Sequence, residues 1–317
     1  MPEPGLIEDL RAAAAGAVTV DEPLAAHTTM RVGGPARAYL RAEDPADLAA
    51  VARLCADHGA PWLILGRGSN LLVADSGWPG VVVTLGRGFR GVRVDGERVV
   101  AGAAEPMPVL ANAVARHRLG GIAFGVAIPG TLGGAVRMNA GAHGRELSEV
   151  LEWAEVARLD RGGVRERLTV ADLRMTYRHT ALPSGAVVLR AGLRLRHADE
   201  ETLAAHMAEM RRWRREHQPI SEPSCGSVFR NPDGDSAGRL IEASGMKGHR
   251  VGGARISDKH ANFIVCSRGA TARDVHRVIR EVQAEVAARQ GVELRTEVVL
   301  AGFGHGGEPV DHPGAAG

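Results

Sequence analysis

Cysteine is scarce in this chain, and its spacing argues against two common classes of site. The 317 residues contain three cysteines, Cys55, Cys225 and Cys266. They lie far apart, form no CxxC or Cys/His zinc pattern, and leave one over if two are paired. We therefore expect neither a disulfide scaffold nor a metal site, and we expect a reduced, cytoplasmic setting.

Long apolar runs and a strong net charge are also lacking. No run approaches the roughly 18 apolar residues that a membrane-spanning helix needs, and the N-terminal MPEPGLIEDLR has neither the basic nor the apolar part of a signal peptide. The formal net charge is only +2, which gives no warrant for a nucleic-acid or membrane partner. With 44% hydrophobic and 24% charged residues, the composition is that of a globular protein long enough for two or more domains.

Glycine, by contrast, is abundant, and it concentrates in IPGTLGGAVRMNAGAHG at residues 128–144. Glycine costs conformational entropy, so such a cluster usually serves positive φ angles or a close approach of main chain to a ligand. Rows of free main-chain N–H groups bind anions such as a pyrophosphate. The alternative is a set of tight turns in a glycine-rich protein.

A second stretch, LILGRGSNLLV at residues 63–73, favours the ligand interpretation. Its apolar, strand-like run breaks at residues 66–70 and then resumes, which predicts a strand that ends in a phosphate-binding loop. Neither loop fits the GxGxxG fingerprint followed by a helix, or the P-loop pattern. Two such loops therefore suggest a long ligand with a diphosphate, held outside a Rossmann crossover.

Seven motifs in a fixed order make the resemblance specific. They are TTMRVGGPA, LGRGSNLL, IPGTLGGAVRMNAGAHG, MTYRHT, GSVFRNP, AGRLIEASGMKG and LRTEVVLAG, between Thr28 and Gly302. Together they resemble the UDP-N-acetylenolpyruvoylglucosamine reductases, the MurB family of flavoproteins in peptidoglycan synthesis. The resemblance implies an α+β fold, with a two-lobed FAD-binding domain of the PCMH/MurB type and a C-terminal α+β substrate-binding domain.

The pattern of elements predicts where these parts lie. Residues 1–27 form an N-terminal helix and loop, and residues 28–198 form the FAD-binding domain, with lobes at about 28–102 and 103–198. The C-terminal domain covers residues 199–303 and closes with a strand at 292–300. The glycine- and proline-rich residues 304–317 are expected to be a disordered tail. Asp44 and Thr271 are predicted N-caps of two amphipathic helices.

The resemblance also implies the chemistry. NADPH gives a hydride to FAD, and reduced FAD gives it to the enolpyruvyl ether of UDP-N-acetylglucosamine, so the cofactors are FAD and NADPH and the partner is a small-molecule UDP-sugar. We expect the enzyme to be a monomer. The candidate FAD-binding residues are Gly66, Arg67, Gly68, Ser69, Asn70, Pro129, Gly130, Thr131, Gly133, Gly134 and Asn139.

Three residues match the family's catalytic positions. Arg178 in MTYRHT matches an active-site arginine, which can grip a carboxylate and polarise the enolpyruvyl group. Ser227 in GSVFRNP matches the proton donor, although a loop serine more often bonds to nearby backbone. Glu297 is either an outward-facing strand residue or a buried carboxylate of raised pKa that stabilises the intermediate or transfers a proton.

Candidates for substrate binding are Tyr177, Asn231 and Lys247. The arginines of the helix at 203–217, namely Arg211, Arg212, Arg214 and Arg215, either bind the diphosphate or form a solvated face. Because no long extra segment lies between Thr180 and Ser221, the chain resembles the subtype without an inserted tyrosine loop. His27 and Ala127 depart from residues common in the family, and Ala127 is strained if that position needs a positive φ.

Two other function classes remain open at this point. One is a flavin oxidase of the same fold, which often tethers the flavin through His or Cys; His143 is the one such residue inside the glycine-rich loops. The other is a non-catalytic nucleotide-binding protein, which would have no need of Arg178, Ser227 and Glu297 together.

Overall fold

The computed structural model describes residues 5–303, and the predicted tail at 304–317 lies outside them. The predicted α+β class is confirmed, because helices and mostly antiparallel strands mix along the chain. The α-helices are α1 (Gly5–Ala13), α2 (Pro45–Asp57), α3 (Met107–Ala115), α4 (Leu132–Met138), α5 (Val170–Leu173), α6 (Glu200–His217), α7 (Ala237–Ala243) and α8 (Ala272–Gln290). The strands of the N-terminal half are β1 (Val18–Pro23), β2 (Pro35–Ala42), β3 (Trp62–Ile64), β4 (Leu71–Val73), β5 (Trp78–Leu85), β6 (Val92–Asp95), β7 (Arg98–Gly102) and β8 (Leu119–Gly120). Those that follow are β9 (Gly141–Ala142), β10 (Arg145–Glu146), β11 (Leu151–Arg158), β12 (Val164–Thr169), β13 (Ala186–Arg194), β14 (Arg196–His197), β15 (Arg250–Val251), β16 (Ala254–Ile256), β17 (Ile264–Cys266) and β18 (Val299–Ala301).

A four-stranded sheet of order β1-β2-β5-β3 forms the first lobe, with α2 packed on it. Helix α2 begins as predicted, because the Asp44 carboxylate accepts hydrogen bonds from the N–H groups of Ala46 and Asp47. The N-terminal loop that we expected is partly wrong. Residues 18–23 are strand β1, which pairs antiparallel with β2; its short alternation was hidden by the alanine-rich residues before it.

A five-stranded antiparallel sheet of order β12-β11-β13-β7-β6 forms the second lobe. The β6–β7 hairpin pairs with β13 through contacts such as Gly102 with Arg190. The lobe boundary that we predicted near residue 102 is therefore wrong, because this hairpin opens the second sheet instead of closing the first. Its partner strand lies far along the chain, and nothing local in the hairpin reveals that pairing.

The C-terminal part packs α7 and α8 on the small sheet β15-β16-β17. The predicted cap of α8 is present, since Thr271 and Asp274 form a reciprocal capping box. The strand expected at 292–300 is regular only at β18. Before it the chain bends, because the N–H groups of Glu297 and Val298 both donate to the Val228 carbonyl.

Strand β18 then pairs in parallel with β4, directly after the loop at residues 66–70. This pairing carries the C-terminal part back to the first lobe, so segments from all three parts meet beside that loop. No helix among residues 5–303 is both long enough and apolar enough to cross a membrane.

Candidate functional site

A cleft of about 640 Å³ lies where the three parts of the chain meet. Both glycine loops line it, together with segments from the second lobe and the C-terminal part. A second cavity of about 540 Å³ shares part of the same wall and is called the side cavity below. The predicted site residues that line the cleft are Gly66, Arg67, Gly68, Ser69, Asn70, Pro129, Gly130, Thr131, Gly134, Arg178, Ser227 and Glu297.

The first glycine loop, residues 66–70, meets the second glycine loop, residues 128–131. A Cβ on Gly66 would lie 3.1 Å from the Thr131 hydroxyl oxygen, and one on Gly130 would lie 3.6 Å from that of Ser69. Gly68 has a φ of +59° and packs against the main chain of His27, so a side chain there would be both strained and obstructed. The two loops thus form one continuous wall of the cleft.

Main-chain donors are free on this wall. Among residues 5–303, no acceptor takes a hydrogen bond from the five N–H groups at positions 66–70, or from those of Gly130 and Thr131. Such N–H groups need a partner when they are covered, and a diphosphate supplies several acceptors at once. The wall therefore fits the diphosphate of a dinucleotide cofactor.

The second glycine-rich stretch contains a short helix that we did not predict. Helix α4 begins after Thr131, whose hydroxyl accepts from the Gly134 N–H. Gly133 is required by packing, since its N–H donates to the Ala103 carbonyl and a Cβ there would lie 3.0 Å from the Ala103 Cβ. Gly133 lines the side cavity and not the cleft, and its N–H is not available to a ligand.

Asn139, another predicted cofactor contact, does not line the cleft. It is fully buried in a left-handed conformation with a φ of 41°. Its amide nitrogen donates to the Glu146 carboxylate and the Thr176 carbonyl, and its amide oxygen accepts from the Ser148 N–H. Asn139 therefore fixes the β9–β10 hairpin against the segment that carries Arg178.

Arg178 and Glu297 form an ion pair in the cleft. The Arg178 Nε donates to Glu297 Oε1 at 2.9 Å, and its Nη2 donates to the Gly141 carbonyl at 3.1 Å. Glu146 lies 3.8 Å from Nη1. Arg178 has a φ of +53°, so its backbone adopts a conformation that non-glycine residues rarely hold.

Glu297 is mostly buried, with 16% of its side chain exposed. Burial raises its pKa above the ordinary value, and the positive charges of Arg178 and Arg230 oppose that rise. Asn70 of the first glycine loop donates to the Glu297 carbonyl at 3.0 Å. This contact joins the first glycine loop to the main chain of the residue that carries the carboxylate. The sequence did not predict it, because the two residues are 227 positions apart.

Ser227 is brought to the same part of the cleft as Glu297 because the next residue, Val228, pairs with Glu297 through the main chain. The Glu297 N–H donates to the carbonyl of Val228 at 2.8 Å, and Gly226 supplies the turn before the serine with a φ of +78°. The Ser227 hydroxyl has no hydrogen-bond partner among the residues that the structure describes. The fold therefore brings Arg178, Ser227 and Glu297, here called the candidate trio, to one cleft.

The three predicted substrate contacts do not line the cleft. Tyr177 is 44% exposed, and the Arg178 guanidinium lies over its ring. Asn231 is exposed, and its side chain accepts from the Ala237 N–H. Lys247 is exposed and pairs with Glu242. In this conformation none of the three reaches the space beside the candidate trio.

The cleft is also lined by part of helix α6, where the sequence left four arginines as candidates for the diphosphate or for a solvated face. Of the four helix arginines, Arg214 alone lines it, between Trp213 and Gln218. Its Nε donates to Gln218 at 3.0 Å, and burial lowers its pKa. The helical spacing from the buried Leu203 and Met207 places position 214 on the inner face of α6, which is the signal that could have identified it.

The two departures from the family pattern are structurally harmless. Ala127 does not have a positive φ, so the strain that we considered is absent. His27 lines the side cavity, where it stacks on Tyr39 and lies 2.7 Å from the Glu22 carboxylate.

Comparisons with known proteins agree with this division of the chain. Residues 36–167 match the model of an FAD binding domain, and residues 218–301 match the model of the UDP-N-acetylenolpyruvoylglucosamine reductase C-terminal domain. A protein of Heliobacterium modesticaldum named UDP-N-acetylenolpyruvoylglucosamine reductase is 46% identical over 283 residues, which are 89% of this chain and 90% of that protein. A reductase of the same name from Anaeromyxobacter sp. is 47% identical over 92% of this chain and 90% of its own. The crystal structure of the Thermus caldophilus enzyme has a TM-score of 0.78 at 36% identity and covers 90% of this chain and 98% of its own.

Proposed function

Because the chain belongs to the UDP-N-acetylenolpyruvoylglucosamine reductase family, we propose how its own residues carry out that reduction. The chain is an FAD-dependent oxidoreductase of peptidoglycan precursor synthesis. This membership removes the two other function classes that the sequence left open. NADPH as the reductant and the roles of individual residues are the parts that we propose.

The free N–H groups of the two glycine loops fit the FAD diphosphate. The donors converge on one wall of the cleft, which the cationic residue Arg67 of the first glycine loop also lines. When bound, FAD supplies hydride transfer, with NADPH as the source of the hydride. The protein's own residues bind and orient the reactants, exclude water, stabilise the developing negative charge and donate the proton.

Arg178 grips and polarises the substrate. Hydride addition at the terminal carbon of the enolpyruvyl group places negative charge on the carbon beside the carboxylate. The contacts to Glu297 and Gly141 fix the guanidinium, and Nη1, whose nearest carboxylate oxygen is that of Glu146 at 3.8 Å, is the nitrogen that would bind the substrate carboxylate. A fixed cation in a partly buried site stabilises such charge without reorganising at the moment of reaction.

Ser227 donates the proton that completes the reduction. Its hydroxyl lies in the cleft and has no internal partner that would hold it away from the substrate. Because a serine hydroxyl is a weak acid, it needs a neighbour that returns its proton. Glu297, held beside it by the pairing with Val228 and with its pKa raised by burial, is suited to assist this step or to stabilise the developing charge.

The proposal is for a cytoplasmic enzyme that works as a monomer. Cys55, Cys225 and Cys266 are all buried and free, which suits a reducing compartment.

The observation that carries the proposal is the convergence of the candidate trio on the wall of free N–H groups. The test is anaerobic reduction of the purified flavoprotein by NADPH, followed by addition of the UDP-linked enolpyruvyl ether. We expect NADPH to bleach the flavin and the ether to restore its colour. Bleaching without reoxidation by the ether would contradict the proposed substrate, and a preparation that cannot take up flavin would contradict the cofactor site.

A further inference from the structure

Trp213 lines the cleft with a side chain that is still partly exposed. The ring of His217 stacks on Trp213 with centroids 4.5 Å apart and an interplanar angle of 10°. His143 meets it edge-on at 5.2 Å. Even so, Trp213 is 41% exposed, whereas the core residue Trp78 is 4% exposed. The His217 ring covers one face of the indole, so the exposed area belongs to the rest of the side chain, which lines the cleft.

The ring is held in place by its neighbours. His217 Nδ1 lies 2.8 Å from the Trp213 carbonyl, so the stacking residue is itself tied to the last turn of α6. His143 belongs to the β9–β10 hairpin and lies two residues after Gly141. An exposed tryptophan that is fixed on two sides loses little side-chain entropy when a ligand covers its third side.

Trp213 lies near the candidate trio and not at the far end of the cleft. Arg178 donates to the carbonyl of Gly141, and His143 on the same hairpin contacts the indole. Arg214, the next residue, also lines the cleft. An aromatic face beside a guanidinium is the pairing that binds the planar ring and phosphate of a nucleotide.

We propose that Trp213 is a specificity-determining residue that stacks on the planar ring of a nucleotide bound in the cleft. This inference rests on the proposed function, which brings two nucleotides to the enzyme: NADPH, with its nicotinamide and adenine rings, and the UDP-linked substrate, with its uracil ring. Both present the same chemistry to an indole face, a flat heteroaromatic ring joined to a phosphate through a ribose.

The test measures binding directly, by calorimetric titration of the FAD-loaded enzyme with UDP and, separately, with NADP⁺. We expect Trp213→Ala to weaken binding of one of the two probes by about 10- to 100-fold, the range that loss of one stacked base gives. Trp213→Phe should recover most of that affinity, and Trp213→Leu should recover little, because leucine keeps apolar area without a π-face. The probe whose affinity falls identifies the nucleotide that stacks on Trp213.

Trp153→Phe is the matched control, since Trp153 does not line the cleft and pairs with Arg167. Its affinity for both probes should equal that of the wild type. The inference would be overturned if Trp213→Ala and Trp213→Leu both bound UDP and NADP⁺ with affinities within twofold of the wild type. It would also be overturned if these variants lost FAD, because that result would place the indole against the flavin. If the wild type reduces the ether and the Trp213 variants bind both probes normally, the role of Trp213 is wrong but the proposed function stands. If the wild type binds neither UDP nor NADP⁺, the proposed function is contradicted as well.

Discussion

The two ends of the cleft are built in different ways. At the proposed flavin end, residues 66–70 and 128–131 offer free main-chain N–H groups, and the glycines at 66, 68 and 130 let the main chain line the cleft directly. At the catalytic end, Arg178 and Glu297 are partly buried charges, and Arg178 has a strained backbone. The difference supports the proposal that main-chain groups bind most of the cofactor diphosphate, while buried charges act where the substrate bond changes.

Removing the proton donor should have the largest effect and should act at the catalytic end alone. We expect Ser227→Ala to slow turnover about 10³-fold, within the usual range for loss of a general acid. Flavin content and the rate of bleaching by NADPH should stay near wild type, as measured by stopped-flow absorbance. Ser221→Ala, at an exposed loop position, is the control; near-normal turnover in Ser227→Ala would show that Ser227 is not the acid.

Changing the shape of the cation at the same end should cost less. Arg178→Lys keeps the charge but loses the planar fork that holds both Glu297 and Gly141. We expect reoxidation of the reduced flavin by the substrate to slow about 100-fold. Arg174→Lys is a matched control, since Arg174 also has a positive φ but is exposed. Equal losses in both variants would mean that the effect is structural.

A change at the flavin end should affect cofactor retention and spare the chemistry. A Cβ at Gly66 would lie 3.1 Å from the Thr131 hydroxyl, so Gly66→Ala crowds the second glycine loop and requires the Thr131 side chain to shift by a few tenths of an ångström. Overpacking costs about 1–3 kcal/mol, so we expect the FAD dissociation constant, measured by equilibrium dialysis, to rise about tenfold. Turnover should stay near wild type once FAD is saturating. Gly238→Ala, where the added Cβ meets ordinary contacts of 3.4 Å, should retain FAD; a Gly66→Ala enzyme that keeps its FAD but loses turnover would break the comparison.

The smallest effect concerns pH. The pKa of Glu297 is raised in the fold, so the folded protein holds this proton at pH values where the unfolded chain has released it. The contribution of Glu297 to stability is therefore fully present below the ordinary pKa and is lost as pH rises through the folded-state pKa. Denaturant unfolding at several pH values should show Glu297→Gln gaining stability relative to wild type over that window. A difference that does not change with pH would mean that the buried carboxylate keeps its ordinary pKa.

The flavin end could be predicted from the sequence, because its information is local. Each glycine loop interrupts an apolar run, and the free N–H groups follow from the backbone of a few adjacent residues. The exceptions, Gly133 and Asn139, are inside the motif but are used for packing and for fixing a hairpin. A glycine or asparagine pattern does not distinguish a residue that touches a ligand from one that supports it.

The catalytic end could be predicted only as separate residues. Resemblance indicated the candidate trio, but the contacts that unite it join distant segments, as in the bond from Asn70 to the Glu297 carbonyl. Trp213 was missed for a similar reason. Its place in the cleft depends on the β9–β10 hairpin, which is distant in sequence and whose His143 contacts the indole. Tertiary pairing decides such contacts, and local periodicity carries no signal for it.

The most direct measurement is a crystal structure of the FAD-loaded protein. The account predicts diphosphate oxygens about 3 Å from the N–H groups of residues 66–70 and of Gly130 and Thr131, with the flavin ring facing Arg178, Ser227 and Glu297. A diphosphate bound away from both glycine loops, or a flavin ring turned away from these three side chains, would contradict it.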